Sequence, residues 1–218
     1  MFCPILSSEE PITLVGGGEG SVQVLNKALQ FAPLLVAADG GARLAFEAGH
    51  VPRAVVGDFD SLGDLELGET ELIHTKDQNL TDFQKCLASL EAPLFVGVGF
   101  LGGRLDHQMA SFTALLQDTR PIVLLSETEI ALIAPRRIRL DLPLGMAFAL
   151  YPLLETRLTS RGLVYPLEKA EVAPDGLIST SNEVAGPVEI ETDRHGVLII
   201  APLAALEPVV RALRVPAR

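Results

Sequence analysis

The chain carries two rhythms of apolar and polar positions. From residue 12 to about residue 125, short apolar runs alternate with stretches whose apolar residues recur every three or four positions. ITLV (12–15), LLVAA (34–38), RAVV (53–56), LFVGVGF (94–100) and PIVLLS (121–126) read as strands covered on both faces. SVQVLNKALQF (21–31), ARLAFEAG (42–49), TDFQKCLASL (81–90) and DHQMASFTALLQ (106–117) read as the helices between them. This alternation predicts a mostly parallel sheet with helices on both sides. Beyond residue 126 the helical period fades. IALIA (130–134), RIRLD (137–141), MAFALY (146–151), GLVYPL (162–167), PVEIE (187–191) and GVLII (196–200) are short or alternating runs between Gly and Pro. They predict an antiparallel sandwich or barrel. The expected organisation is an α/β domain over 1–125 and an all-β domain over 126–218. Whether LAALEPVVRALR (203–214) is a helix broken at Pro208 is left open by the pattern.

Composition narrows the function classes. With 48% hydrophobic residues among 218, the chain can fill sizeable cores. Its longest apolar run, VLIIAPLAAL, contains a proline and falls short of the roughly 20 residues of a bilayer span. The start, MFCPILSSEE, has no basic region, so no signal peptide is expected. Cys3 and Cys86 form neither a metal spacing nor a disulfide framework, which favours a reducing, cytoplasmic setting. A net charge of −11 disfavours binding to nucleic-acid backbones, but a carboxylate-held cation can still bring in a nucleotide.

In the first half the candidate residues all follow strands, at the edge where open α/β sheets bind ligands. Asp39, Gly40 and Gly41 follow LLVAA, and Asp58 and Asp60 follow RAVV. If GDFDS is extended, Asp58 and Asp60 project together while Phe59 points away toward apolar packing. Two such carboxylates suit Mg²⁺, although a solvated turn has the same composition. In DQNLTDFQKCLASL (77–90), Thr81 and Gln84 fit a capping box, and Asp82 and Lys85 share one face near the helix start. A phosphate chain with its metal fits that end, and so does an ordinary capped helix with an ion pair. Gly102 and Gly103 permit close backbone approach, and Arg104 offers a planar fork to phosphate. Asp106 is free to orient Arg104, bind metal or cap the helix; His107 is a packing residue or a proton carrier. Gly16–Gly18 in LVGGGEGS read as a phosphate- or adenosine-facing turn, because a dinucleotide fingerprint needs glycine where Ser21 stands. In the second half, Ser179, Thr180, Ser181 and Asn182 crowd donors and acceptors into one loop-like stretch.

Five blocks in this order resemble the thiamine pyrophosphokinase family: ADGGARL (38–44), GDFDS (57–61), DQNLTDFQK (77–85), GFLGGRLDH (99–107) and STSNE (179–183). The resemblance implies an N-terminal α/β ATP-binding catalytic domain, a C-terminal thiamine-binding β-sandwich, and a homodimer with shared active sites. It implies transfer of diphosphate from ATP to thiamine, leaving AMP. Asp58, Asp60 and Asp82 would hold Mg²⁺ and polyphosphate, with Asp77 nearby. Lys85 and Arg104 would neutralise phosphate charge. Asp39, Gly40, Thr81, Gly102, Gly103, Asp106 and His107 would serve the nucleotide. Ser179, Ser181 and Asn182 would hold thiamine. The family's stacking tryptophan is missing, since the chain contains no Trp; Tyr165 in GLVYPL stands at the corresponding place. Two other readings remain: a Mg²⁺-dependent nucleotidyl- or glycosyltransferase using Asp58 and Asp60, or a thiamine or nucleotide sensor without turnover.

Overall fold

The computed structural model describes residues 4–75, 77 and 79–214; Cys3 and Gln78 of the DQNLTDFQK block lie outside them. The chain is mixed α/β and divides into two compact units, Met1–Glu127 and Thr128–Arg218. No helix among the described residues is long and apolar enough to cross a membrane.

The first unit contains β1 (Leu6–Ser7), β2 (Ile12–Val15), α1 (Val22–Leu29), β3 (Leu34–Ala38), α2 (Ala42–Glu47), β4 (Ala54–Gly57) and β5 (Glu71–His74). It continues with α3 (Asp82–Ser89), β6 (Leu90–Glu91), β7 (Phe95–Val98), α4 (Leu105–Gln117) and β8 (Ile122–Leu125). Its sheet has the order β5-β4-β3-β2-β7-β8, and every pairing is parallel. β1 and β6 form a separate parallel pair. All four residues of β2, β4, β7 and β8 are buried, which explains their unbroken apolar runs. β5 was not visible as an apolar run because it is an edge strand: Glu71, Leu72 and His74 are exposed and only Ile73 faces the core.

The chain reverses strand order between β2 and β7, so the loops leaving these neighbours meet at the carboxyl edge. There the Gly18 N–H donates to the Gly99 carbonyl at 3.1 Å. A Cβ on Gly16 or Gly18 would lie 2.9 or 2.5 Å from that same carbonyl oxygen. These two glycines therefore let two loops touch, a packing reason that does not depend on a ligand.

The second unit contains β9 (Glu129–Ile133), β10 (Arg137–Leu140), β11 (Ala147–Pro152), β12 (Thr156–Leu163), β13 (Leu167–Val172), β14 (Ser179–Thr192), β15 (Val197–Pro202) and α5 (Leu206–Leu213). Its pairings are antiparallel. β14 spans 14 residues and pairs with three strands: Ser179, Asn182 and Glu183 face β11, Val188–Glu191 face β10, and β12 pairs along it from Val184 to Thr192. Val184, Val188 and Ile190 point inward, and Glu189 and Glu191 pair outward with Arg139 and Arg137 at 3.2 and 3.0 Å.

GLVYPL is not a strand: β12 ends at Leu163 and β13 begins at Leu167, so Tyr165 lies between them. β12 itself was overlooked because Arg157, Thr159, Ser160 and Arg161 make it read as polar. In the fold, Ser160 accepts the Leu167 N–H at 2.9 Å and Thr159 accepts the Lys169 N–H at 3.1 Å. The C-terminal segment is a 3₁₀ turn, Leu203–Ala205, leading into α5, which is not broken at Pro208. Pro208 sits in its first turn, where a backbone N–H would have no helical partner anyway.

Candidate active site

Asp39 directly follows β3 and is 1% exposed. Its carboxylate accepts the Phe59 N–H at 3.0 Å and the Ser61 N–H at 3.2 Å, which fastens the loop after β4. Phe59 has φ = 71°, so GDFDS is a turn and not the extended segment expected from its spacing. The two acids still converge, but through this left-handed residue held by Asp39. Phe59 packs on the core around Val15, Leu35 and Val55, and its ring stacks on His74 at 5.3 Å. One carboxylate oxygen from each of Asp39, Asp58 and Asp60 lies within 4.8 Å of the others, an arrangement able to hold a metal ion. Asp82, expected in the metal set, lies outside this group, which brings Asp39 to the pair.

Asp82 has another partner. Thr81 caps α3 in a complete capping box with Gln84, which commits its hydroxyl to the Gln84 N–H. Asp77 accepts the backbone and side-chain N–H groups of Asn79 at 2.9 and 3.1 Å, shaping the approach to that helix. One turn into α3, the buried Lys85 Nζ donates to Asp82 at 2.9 Å and to Asp58 at 3.1 Å. Burial alone would lower the Lys85 pKa, but the bonds to Asp82 and Asp58 outweigh it and raise the value. Lys85 in turn holds Asp58 below the usual carboxylate range. Burial and the hydrogen bond with Asp58 push Asp39 up. One cation thus supports a group of acids whose charges would otherwise repel.

The close approach of Asp39 to the end of β4 depends on Gly57, where a Cβ would lie 2.9 Å from the Asp39 carboxylate. A Cβ on Gly41 would lie 2.0 Å from the Val15 carbonyl oxygen, so no side chain fits there. Gly40 leaves more room, its nearest neighbour being the Ser61 Cβ at 3.2 Å.

After β7, Gly102 and Gly103 take φ values of 87° and 64°. They lie against Glu19, a neighbour the sequence reading did not single out; a Cβ on Gly102 would be 2.8 Å from its carboxylate. Arg104 stands at the N-cap position of α4 and grips Asp106 with two bonds, Nε to Oδ1 at 3.1 Å and Nη2 to Oδ2 at 2.6 Å. Of the three roles open to Asp106, the structure displays the orienting one. Arg104 holds its carboxyl below the ordinary range. His107 is exposed at the helix start, and its carbonyl accepts the Ser111 hydroxyl.

In the second unit, Tyr165 is 68% exposed, which removes it from that unit's core. Ser181 is exposed with φ = 56°, Ser179 is half-buried, and Asn182 is buried. The Asn182 amide faces the Tyr165 backbone, accepting its N–H at 3.0 Å and donating to its carbonyl at 2.8 Å.

Family models match both units: "Thiamin pyrophosphokinase, catalytic domain" over residues 25–124 and "Thiamin pyrophosphokinase, vitamin B1 binding domain" over 136–197. A thiamin pyrophosphokinase of Caenorhabditis elegans is 32% identical over 61% of this chain and 63% of its own. A thiamine pyrophosphokinase of Oryza sativa subsp. japonica is 31% identical over 75% of this chain and 80% of its own. The solved structure of thiamin pyrophosphokinase from Candida albicans shares the fold, with a TM-score of 0.76 at 17% identity, covering 89% of each chain. With both family models matched in order along the chain, it belongs to the thiamine pyrophosphokinase family.

Proposed function

We propose that this protein transfers the diphosphoryl group of ATP to the hydroxyl of thiamine, releasing AMP and thiamine diphosphate. The observation that carries the reading is the convergence of Asp39, Asp58 and Asp60 beside the buried Lys85, within the region matched by the catalytic-domain model. In this reaction the thiamine oxygen bonds to the β-phosphorus. The bond from that phosphorus to the α–β bridging oxygen breaks, and AMP leaves with the electron pair. The hydroxyl proton passes to a carboxylate; Asp60 and Asp82 are the two candidates. Asp60 also accepts the Ser61 hydroxyl at 2.9 Å, and Asp82 holds Lys85.

The donor set fits Mg²⁺: hard carboxylate oxygens at short mutual distance, with Asp58 half-buried and Asp60 exposed. Bound there, Mg²⁺ would neutralise polyphosphate charge and align the β-phosphorus for in-line attack. Asp58 and Asp60 would hold it, with Asp39 fixing their loop and Asp82 close by through Lys85. Lys85 and Arg104 would meet phosphate oxygens, Arg104 exchanging part of its grip on Asp106 for the substrate. The glycine loops at 16–18, 40–41 and 102–103 would line the nucleotide, with His107, Thr81 and Asp77 at its margin.

We assign ATP binding and catalysis to residues 1–125 and thiamine binding to a β-sandwich over 126–218. There Tyr165 would stack on the thiamine cation, beside Ser179 and Ser181. The family resemblance supports a homodimer in which each active site draws on both subunits, and the cysteine usage favours a cytoplasmic setting. A sugar- or nucleotidyl-transfer reading of Asp58 and Asp60 leaves the match to the vitamin B1 binding model unexplained. Incubating the protein with Mg²⁺, ATP and thiamine and following phosphorus NMR tests the proposal. AMP and thiamine diphosphate should appear in equal amounts; ADP with thiamine monophosphate would refute it.

A further inference from the structure

Asn182 uses its side chain as if it were a peptide group. Its backbone lies opposite Phe148 in the β11–β14 pairing, while its amide reaches toward the segment that leaves β12. There Oδ1 accepts the Tyr165 N–H and Nδ2 donates to the Tyr165 carbonyl, the two-point pattern by which strands pair. The same Oδ1 accepts the Glu183 N–H at 2.9 Å. Backbone pairing of β12 with β14 reaches Leu163 opposite Val184, and the Val164 N–H donates to the Glu183 carbonyl at 2.9 Å. One residue before Asn182, Ser181 leaves the extended region. The Asn182 side chain carries the ladder on to Tyr165.

This arrangement separates what is fixed from what is offered. Asn182 is 5% exposed and its oxygen already accepts two hydrogen bonds, so it is poorly placed to serve thiamine directly. Tyr165 is 68% exposed, and Val164, Leu177 and Ile178 are exposed large apolar residues on the same unit. An aromatic ring that stacks on a ligand binds more tightly when its backbone is already ordered, because less freedom is lost on association. Without the amide, water can satisfy the Tyr165 backbone groups at this exposed place. The loss would then fall mainly on order and little on global stability.

We propose that Asn182 is the positioning residue of the acceptor site: by tying the Tyr165 backbone to β14 it presents the ring as a fixed platform for the thiamine cation. The inference rests on the acceptor assigned above. It reassigns Asn182 from ligand contact to support of the residue that makes the contact.

The chain has two tyrosines and no tryptophan, so Tyr151→Phe leaves Tyr165 as the sole tyrosine reporter. In that background Asn182→Ala should enlarge the fast component of the Tyr165 anisotropy decay before any ligand is added. Calorimetric titration should show thiamine affinity falling about five- to tenfold, within the range of a lost aromatic–cation contact. Asn182→Asp, which keeps an acceptor but sets a carboxylate against the Tyr165 carbonyl, should behave alike. Should Asn182→Ala not fold, Asn182→Ser carries the same test. Tyr165→Ala should weaken thiamine about five- to thirtyfold, and adding Asn182→Ala to it should cost less than about twofold more. An unchanged anisotropy decay, or equal losses from Asn182→Ala with and without the Tyr165 ring, would overturn the positioning role while sparing the acceptor site. Unchanged thiamine affinity in Tyr165→Ala would overturn the acceptor role of Tyr165 and this inference with it.

Discussion

Replacing Lys85 with methionine removes a buried cation bonded to both Asp58 and Asp82 while keeping a side chain of similar length. Lys85 is 5% exposed and makes two charge-assisted bonds, at 3.1 and 2.9 Å. Breaking a fully buried pair by deleting one partner costs about 3–5 kcal/mol. Here the carboxylates keep 23% and 48% of their side-chain exposure, so water relieves part of the repulsion left behind. A loss of about 1–3 kcal/mol is expected for Lys85→Met, or about 2–12 °C in melting midpoint for a chain of this size. Mg²⁺ should recover part of that loss, since the variant removes the Lys85 charge that both acids bond. Calorimetric melts with and without Mg²⁺ measure both effects. The midpoint of Lys85→Met should rise more on adding Mg²⁺ than that of the wild type. A variant melting with the wild type in metal-free buffer would refute the view that Lys85 compensates this cluster.

Gly41→Ala should destabilise the fold by about 3 kcal/mol or more and weaken Mg·ATP binding, because its Cβ would collide with the Val15 carbonyl at 2.0 Å. Gly17→Ala, whose Cβ finds its nearest atom at 3.6 Å, should melt close to wild type; equal midpoints for the two variants would refute the packing account. Asp58→Asn and Asp60→Asn should each lower kcat/KM by roughly a hundredfold or more while unfolding remains cooperative, and near wild-type turnover at low Mg²⁺ would return them to a plain turn. Burial pushes the Cys86 thiol far above its ordinary value of 9.0. The stability this contributes is fully present below 9.0 and is lost as pH rises from there toward the folded value, because only the unfolded thiol ionises in that window. In a Cys3→Ser background, denaturant titrations from pH 8 to 10.5 should show a decline that Cys86→Ala lessens; identical slopes would contradict it.

How much of this was legible in sequence depends on where each residue's partners lie. The capping box of Thr81 and Gln84 is local, and it forms as the spacing predicts. The buried strands of the first unit were legible because parallel strands leave no polar face to blur the signal. GDFDS shows the limit. Convergence of Asp58 and Asp60 was anticipated, but from an extended geometry that does not occur. The actual cause is Asp39, about twenty residues earlier, accepting two N–H groups of the turn. No local pattern encodes a contact at that range. Lys85 was read as a partner for Asp82 and for phosphate, yet its bond to Asp58 needs α3 packed beside the end of β4.

The second unit was harder for a different reason. β12 carries charged residues on its outer face and hydroxyls where β13 needs acceptors, so its alternation is masked; β14 is legible at PVEIE, but its start, Ser179–Asn182, reads as a polar loop and is strand. Asn182 looked like one polar residue among four. Its distinction comes from burial and from Tyr165, 17 positions earlier, whose backbone it completes.

The central claim is that a diphosphoryl group moves whole from ATP to thiamine, and isotopic label follows that group directly. Parallel reactions with ATP labelled at the α- or the γ-phosphorus, in the presence of Mg²⁺ and thiamine, should send α label only into AMP and γ label only into thiamine diphosphate, in equal molar amounts. Recovery of γ label in thiamine monophosphate, or release of labelled AMP in thiamine-free reactions at the same rate, would contradict the account.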